Sequence, residues 1–167
     1  ESFDNLLKAQ DFIKKSKHPL VIKSDGLAAG KGVIISNNVE ESIKCAKEIL
    51  EGKFKTSSKV VIEEFLEGEE ASYFVITDGE NYLPIGTAQD HKRIGENDTG
   101  LNTGGMGAYS PSLLITNDMQ EKINKKIIEP TIKSLNKIGC SFVGILYAGL
   151  MIKNNEPKLI EYNIRFG

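Results

Sequence analysis

An α+β fold with antiparallel pairing is what this sequence of 167 residues predicts, on three observations. Short β-branched runs recur between turn residues, as in Leu20-Val21-Ile22, Val33-Ile34-Ile35 and Val60-Val61-Ile62. Two stretches carry apolar residues at helical spacing. Asp78-Gly79 and Asn154-Asn155 each join a pair of strand-like runs through a hairpin turn.

In chain order, Phe3, Leu6, Leu7 and Ile13 predict an opening helix that His18-Pro19 closes, since proline disfavours helix in the residue before it. Leu20–Lys23 predicts a strand, Ser24-Asp25-Gly26 and a glycine-rich turn follow, and Val33–Ile35 predicts a second strand. Asn37-Asn38 caps a helix whose stripe is Val39, Ile43, Ala46, Ile49 and Leu50, with its Glu and Lys residues in water. Val60–Ile62 and Tyr73–Ile76 predict strands on either side of an acidic connector, and Tyr82–Ile85 predicts another beyond the Asp78-Gly79 turn.

From Gln89 to Ser110 there is almost no periodicity and much glycine, which predicts a long functional loop. A long helix from about Asn117 is predicted to kink near Pro130. Phe142–Ile152 and a last strand through Arg165 close the pattern.

A net charge of −2 gives no electrostatic footprint for nucleic acid or an anionic membrane. No apolar run reaches the roughly 18 residues that a bilayer-spanning helix needs, and Glu1-Ser2-Phe3-Asp4 is no signal peptide. Cys45 and Cys140 lie far apart without zinc-type spacing, so a reduced, cytoplasmic setting is expected. With no initiator methionine, and with Arg165-Phe166-Gly167 directly after a strand pattern, segments are expected to be missing at both ends.

Three constellations carry chemistry. Lys23 to Gly32 places glycines where backbone N–H groups can turn toward one anion, with Lys23 and Lys31 as point charges. Taken alone, it fits a flexible hairpin equally well. It is neither a Walker loop, since Gly26 and Gly30 enclose three residues, nor a dinucleotide fingerprint. Glu63 to Glu70 reads as a hinge offering backbone donors and acceptors to a purine edge, or as a solvated acidic loop. Glu161, Asn163 and Arg165 alternate with Ile160, Tyr162 and Ile164, which puts the polar set on one strand face where hard-oxygen ligands suit Mg²⁺. An exposed strand face is the plain alternative.

Together these segments resemble the ATP-grasp superfamily and, within it, the glycinamide ribonucleotide synthetase family. The likeness runs through Lys23–Val33, Glu63–Ser72, Gln89–Arg93, Asn102–Pro111, Leu146–Met151 and Glu161–Gly167, nearly everything after Pro19. It implies two α+β subdomains with largely antiparallel sheets holding ATP between them. A small one over 1–66 would carry the phosphate flap, and a large one over 67–167 the substrate loop and metal-binding strand. It further implies ligation of glycine to 5-phosphoribosylamine through a glycyl phosphate, with ATP and Mg²⁺ (or Mn²⁺), and further domains of the same polypeptide as partners.

Carried over, Lys23, Gly26, Gly30, Lys31 and Gly32 contact phosphate, the glycine-rich loop acting as a flap. Glu63, Glu64, Phe65 and Leu66 form the adenine hinge, and Glu70 binds ribose. Glu161 and Asn163 hold the metal. Arg165 stabilises charge on the transferring phosphoryl group, Lys92, Arg93, Asn102, Thr103, Gly104, Gly105 and Met106 act on the substrates and the acyl phosphate, and Asp90 on the substrates. One departure is the absence of a carboxylate from Tyr147 to Ile152, where many ATP-grasp enzymes place a second metal ligand. The rival readings are an ATP-grasp ligase for another acid and amine, and a non-catalytic nucleotide-binding module.

Overall fold

A computed structural model describes residues 1–26, 32–54, 57–96 and 99–166, the side chains at 92, 93, 99–102 and 104 excepted. Its packing divides the chain into two compact units, Glu1–Leu66 and Glu67–Gly167.

The first unit runs β1 (Ser2–Phe3), α1 (Leu6–Lys15), β2 (Leu20–Ser24), β3 (Val33–Ser36), α2 (Val39–Leu50) and β4 (Val60–Glu64). Its sheet has the order β1-β4-β2-β3, antiparallel throughout. Asn5 caps α1 by accepting from Leu7 N and Lys8 N, and Asn38 caps α2 by accepting from Glu41 N. Such a cap is worth about 1 kcal/mol. Period-two alternation sends Leu20, Ile22, Val60 and Ile62 to one face, where they meet Ile13 and Ile49 of the helices. Burying each large aliphatic side chain contributes roughly 1.5–3 kcal/mol. Phe3, grouped with the first helix by spacing, instead belongs to β1 and packs on Phe12 at 5.3 Å between ring centroids. Asn5 sets the helix start two residues later.

In the second unit come β5 (Glu69–Thr77), β6 (Tyr82–Gly95), β7 (Thr99–Tyr109), α3 (Asn117–Ile123), α4 (Glu129–Lys137), β8 (Gly144–Lys153) and β9 (Glu156–Asn163). The sheet order is β7-β6-β5-β8-β9, again antiparallel. Tyr73 and Val75 of β5 and Leu146, Ala148 and Leu150 of β8 face the helices, against Met119, Ile123, Ile128 and Ile132. The interruption expected near Pro130 takes the form of a π-turn over Asn124–Ile128, in which Glu129 N–H bonds back to Asn124 O. The widened turn precedes the proline, which has no N–H to give, so it sits in the first turn of α4.

Two expectations need correction. Gln89 to Ser110 is no loop: β6 and β7 form a long two-stranded ribbon with Gln89 opposite Tyr109 and Arg93 opposite Asn102. Its glycines leave no side-chain alternation to read, and register shifts after His91 and Arg93 break the period further. The last strand stops at Asn163, whose rung with Tyr147 ends the ladder, so Arg165 lies outside the strand. Phe166 turns its ring to within 6.3 Å of Phe74 on β5.

Between Gly149 and Leu150 the β8–β9 register shifts by one, with Gly149 opposite Glu161 and Leu150 opposite Leu159, so Ile160 is an extra residue. This β-bulge brings Glu161 and Asn163 onto the face away from the helices and sends Tyr162 to the core.

Candidate active site

Each unit covers one face of its sheet with helices and leaves the other open, and the site residues concentrate on the open faces. On the first, the register sets two rows, Val33–Lys23–Val61 and Ile35–Val21–Glu63. Val33 and Ile35 are exposed apolar side chains. Lys23 Nζ lies 2.6 Å from Glu63 Oε2, with 16% and 38% of the side chains exposed. The face is an apolar floor bearing one donor beside one acceptor. A half-exposed pair of this kind holds about 0–1 kcal/mol, so a ligand can share it at little cost.

Glu64, the next residue, points the other way by strand alternation, and Phe65 and Leu66 lie half-buried in the connector after β4. Gly32 O accepts from Ser24 N at 2.9 Å, which closes the stem of the glycine-rich stretch, and Gly26 O accepts from Ser24 Oγ. Asp25 braces the same stem: its carboxylate accepts from Ser57 Oγ, Ser58 N and Lys59 N at 2.8–3.1 Å. Those bonds, the Ser57 one foremost, hold its pKa below the usual carboxylate value. Gly30 and Lys31 lie outside the described residues.

On the second unit, Glu70 and Ser72 of β5, Asp90 of β6, Tyr147 and Gly149 of β8 and Ile160 and Glu161 of β9 line one pocket of about 170 Å³. Glu161 Oε1 accepts from Asn163 Nδ2 at 3.0 Å. Both side chains offer hard oxygen, which fits Mg²⁺, provided the amide turns its oxygen in place of the nitrogen that now faces Glu161. Gly149 opposes Glu161 directly, so the neighbouring strand adds no carboxylate. Among the described residues no cluster of three or more His, Cys, Asp or Glu forms a metal cage. The pair therefore suits a cation that takes most of its shell from water and phosphate.

Arg165 is exposed, and its Nη1 donates to Phe166 O at 2.7 Å. Lys92 and Arg93 lie on β6 and Asn102 and Gly104 on β7, with side-chain placement outside the description. Thr103 Oγ1 accepts from Gly105 N at 3.0 Å. Gly105, at φ +125°, comes close to Asp90: a Cβ there would lie 3.8 Å from its Oδ1. Met106 is exposed.

The family described as phosphoribosylglycinamide synthetase, ATP-grasp (A) domain, matches residues 1–167. The chain belongs to that family. A phosphoribosylamine–glycine ligase from Brucella melitensis is 51% identical over 166 residues, covering 99% of this chain and 39% of the relative. The crystal structure of phosphoribosylamine–glycine ligase from Thermotoga maritima superposes with a TM-score of 0.89 at 37% identity, over 100% of this chain and 43% of that one. A biotin carboxylase domain from Hydrogenobacter thermophilus, solved with MgADP and bicarbonate, has a TM-score of 0.71 at 18% identity over 98% of this chain and 34% of that one, a likeness of fold. The phosphoribosylglycinamide synthetase ATP-grasp domain seen here thus spans about two-fifths of the length of such relatives.

Sequence reasoning gave no role to Ser72 or Tyr147, which share the pocket with Glu70 and Glu161. The available signal was a tyrosine two residues before a glycine in an otherwise apolar strand, a spacing that puts both on one face.

Proposed function

We propose that this chain is the nucleotide-binding part of an enzyme that joins glycine to 5-phosphoribosylamine in purine biosynthesis, giving glycinamide ribonucleotide, ADP and phosphate. The observation that carries the reading is the family match over all 167 residues. The open-face geometry supports it with a place for a base in the first unit and oxygen ligands in the second.

In this reading Glu63 accepts from the 6-amino group of adenine over the floor of Val21, Val61 and Ile35, and Lys23 beside it donates to phosphate. Glu64, Phe65 and Leu66 complete the hinge, and Glu70 accepts from ribose hydroxyls. The stretch from Gly26 through Gly30 and Lys31 to Gly32 meets the phosphates. Glu161 and Asn163 hold magnesium or manganese, which when bound supplies charge neutralisation on the triphosphate.

A carboxylate oxygen of glycine bonds to the γ-phosphorus as the bond to ADP breaks. The amine of phosphoribosylamine then attacks the acyl carbon and phosphate leaves. Arg165, Lys92 and Arg93 stabilise the transferring group, and Asp90, Asn102, Thr103, Gly104, Gly105 and Met106 position the two substrates. No covalent enzyme intermediate is required; positioning and electrostatics carry the reaction. Other domains of the polypeptide complete the substrate site. Two free thiols, Cys45 buried and Cys140 exposed, suit a reducing cytoplasm. Among the described residues no helix is long and apolar enough to cross a membrane.

The test is ADP release by the full-length protein with phosphoribosylamine and a panel of amino acids. Release is expected with glycine alone. Equal release with an unrelated acid refutes the glycine assignment.

A further inference from the structure

Among the polar side chains that line the pocket on the second unit's open face, the carboxylates of Glu70, Asp90 and Glu161 are acceptors. Two hydroxyls interrupt that lining, Ser72 on β5 and Tyr147 on β8. Ser72 Oγ donates to Tyr147 Oη at 3.3 Å. In that bond the phenol accepts, so its single proton remains available, and among the described residues Ser72 is the hydrogen-bond partner given to it.

The phenol is also held in place. Its ring stacks on Phe74 with centroids 5.1 Å apart and planes 22° from parallel. A Cβ built on Gly149 would lie 3.6 Å from Tyr147 Oη and 3.4 Å from Glu161 Cγ. The space above Gly149 is thus flanked by a fixed hydroxyl on one side and by the proposed metal-binding carboxylate on the other.

We propose that Tyr147 is a substrate-contacting residue whose hydroxyl donates to an oxygen of the phosphoryl group passing from ATP to the acid, with Ser72 as a positioning residue behind it. The proposal rests on the ligase reading above and deepens it. An ammonium group in the pocket would satisfy the carboxylates but leave the phenol proton without an acceptor. A phosphoryl oxygen travelling with a divalent cation satisfies both, the cation at Glu161 and the oxygen at Tyr147. A neutral donor here, unlike a lysine, adds no charge to compete with that cation for Glu161. Negative charge spreads over the equatorial oxygens during transfer, so the bond is worth more in the transition state than before it.

The experiment uses the full-length enzyme. Tyr147→Phe keeps the stacked ring and removes only the oxygen. It is expected to lower kcat about 10- to 100-fold with the KM for ATP within about 3-fold of wild type. Affinity for ADP with aluminium fluoride is expected to fall about 10-fold while affinity for ADP alone holds. Ser72→Ala has the smaller effect, and the double variant is no worse than Tyr147→Phe, because both act through one hydroxyl. Gly149→Ala puts a methyl into the gap at ordinary contact distances, so it keeps the thermal midpoint and weakens the aluminium fluoride complex. Wild-type kcat and wild-type ADP–aluminium fluoride affinity in Tyr147→Phe overturn the proposal, as does a loss of activity matched by a loss of thermal midpoint. An intact enzyme that releases no glycine-dependent ADP overturns the ligase reading itself, a result distinct from an active enzyme indifferent to Tyr147.

Discussion

Replacing Gly68 by alanine drives a methyl group into the backbone of a neighbouring strand. A Cβ at this position would stand 2.4 Å from Ile152 O and 2.9 Å from Ile152 C, where real Cβ contacts essentially never fall under 3.0 Å. Ile152 cannot withdraw easily, since it pairs with Glu69 on one side and Pro157 on the other. Gly68 also has φ +148°, a conformation that side chains with a Cβ rarely adopt. That strain costs about 1–3 kcal/mol, and forcing the strands apart about 1–3 kcal/mol more. A combined loss of about 2–6 kcal/mol lowers the thermal midpoint of a unit this size by on the order of 10 °C or more. Two controls separate the contributions. Gly52 has φ +92° but open space around its Cβ position, so Gly52→Ala loses only about 1 kcal/mol. Gly86, with open space and no positive φ, is expected to be neutral or slightly stabilised by alanine. Thermal unfolding monitored by circular dichroism should rank Gly68→Ala lowest, Gly52→Ala next, and Gly86→Ala at or above the parent. A Gly68→Ala protein within about 0.5 kcal/mol of the parent would refute the claim that the turn into β5 is built against the Ile152 carbonyl.

Glu63→Gln should relax base selection, because an amide can offer either an acceptor to adenine or a donor to the guanine carbonyl; the ATP-to-GTP ratio of kcat/KM is expected to fall about 5- to 100-fold, and an unchanged ratio counts against the adenine assignment. Glu161→Ala in the intact enzyme should abolish turnover while the circular dichroism spectrum and thermal midpoint hold, since the side chain is exposed; normal turnover would disprove the metal assignment. Burial, foremost, pushes the Tyr73 hydroxyl up to about 12, with hydrogen bonding to the Asn124 amide a smaller, opposing influence. The folded state therefore keeps this proton more tightly than the unfolded chain, whose tyrosine titrates near 10, so the stability it contributes is present below pH 10 and lost as pH rises toward 12. Urea midpoints between pH 9 and 11.5 should fall less in Tyr73→Phe than in the parent, and parallel declines would contradict this.

Local chemistry was legible in the sequence where it closes within a few residues. Asn38 caps α2, Asp78 accepts from Glu80 N and Asn81 N to make its turn, and Asn154 and Asn155 take φ of +53° and +60°, as their hairpin requires. The β6–β7 ribbon was not, because strands read from side-chain alternation vanish when glycine supplies the residues. Arg165 was assigned to a strand by extrapolating a period of two past its last hydrogen-bonded rung. In the candidate site, Lys23 and Glu63 were each recognisable, but their meeting at 2.6 Å depends on the pairing of β2 with β4, which are far apart in sequence. Tyr147 was passed over for the same reason, since only the neighbouring strand supplies the Ser72 hydroxyl that orients it.

The surplus isoleucine in β9 acts as a frame setter for the strand's final four positions. Were it paired opposite Gly149 and not bulged out, the ladder carried on from Leu150–Leu159 would set Glu161 against Ala148 on the helix side and turn the Tyr162 ring, which now exchanges a hydrogen bond with Thr131, out into water. A one-residue insertion taken up into the ladder beyond Leu159 would bury an acid and expose an aromatic at once, whereas deleting Ile160 would straighten the ladder and leave Glu161 opposite Gly149 and Tyr162 opposite Ala148. The bulge thus absorbs one residue outside the pairing, and it is the count of residues inside the ladder, not the length of the strand, that sets the facing of the core ring and the acidic ligand together.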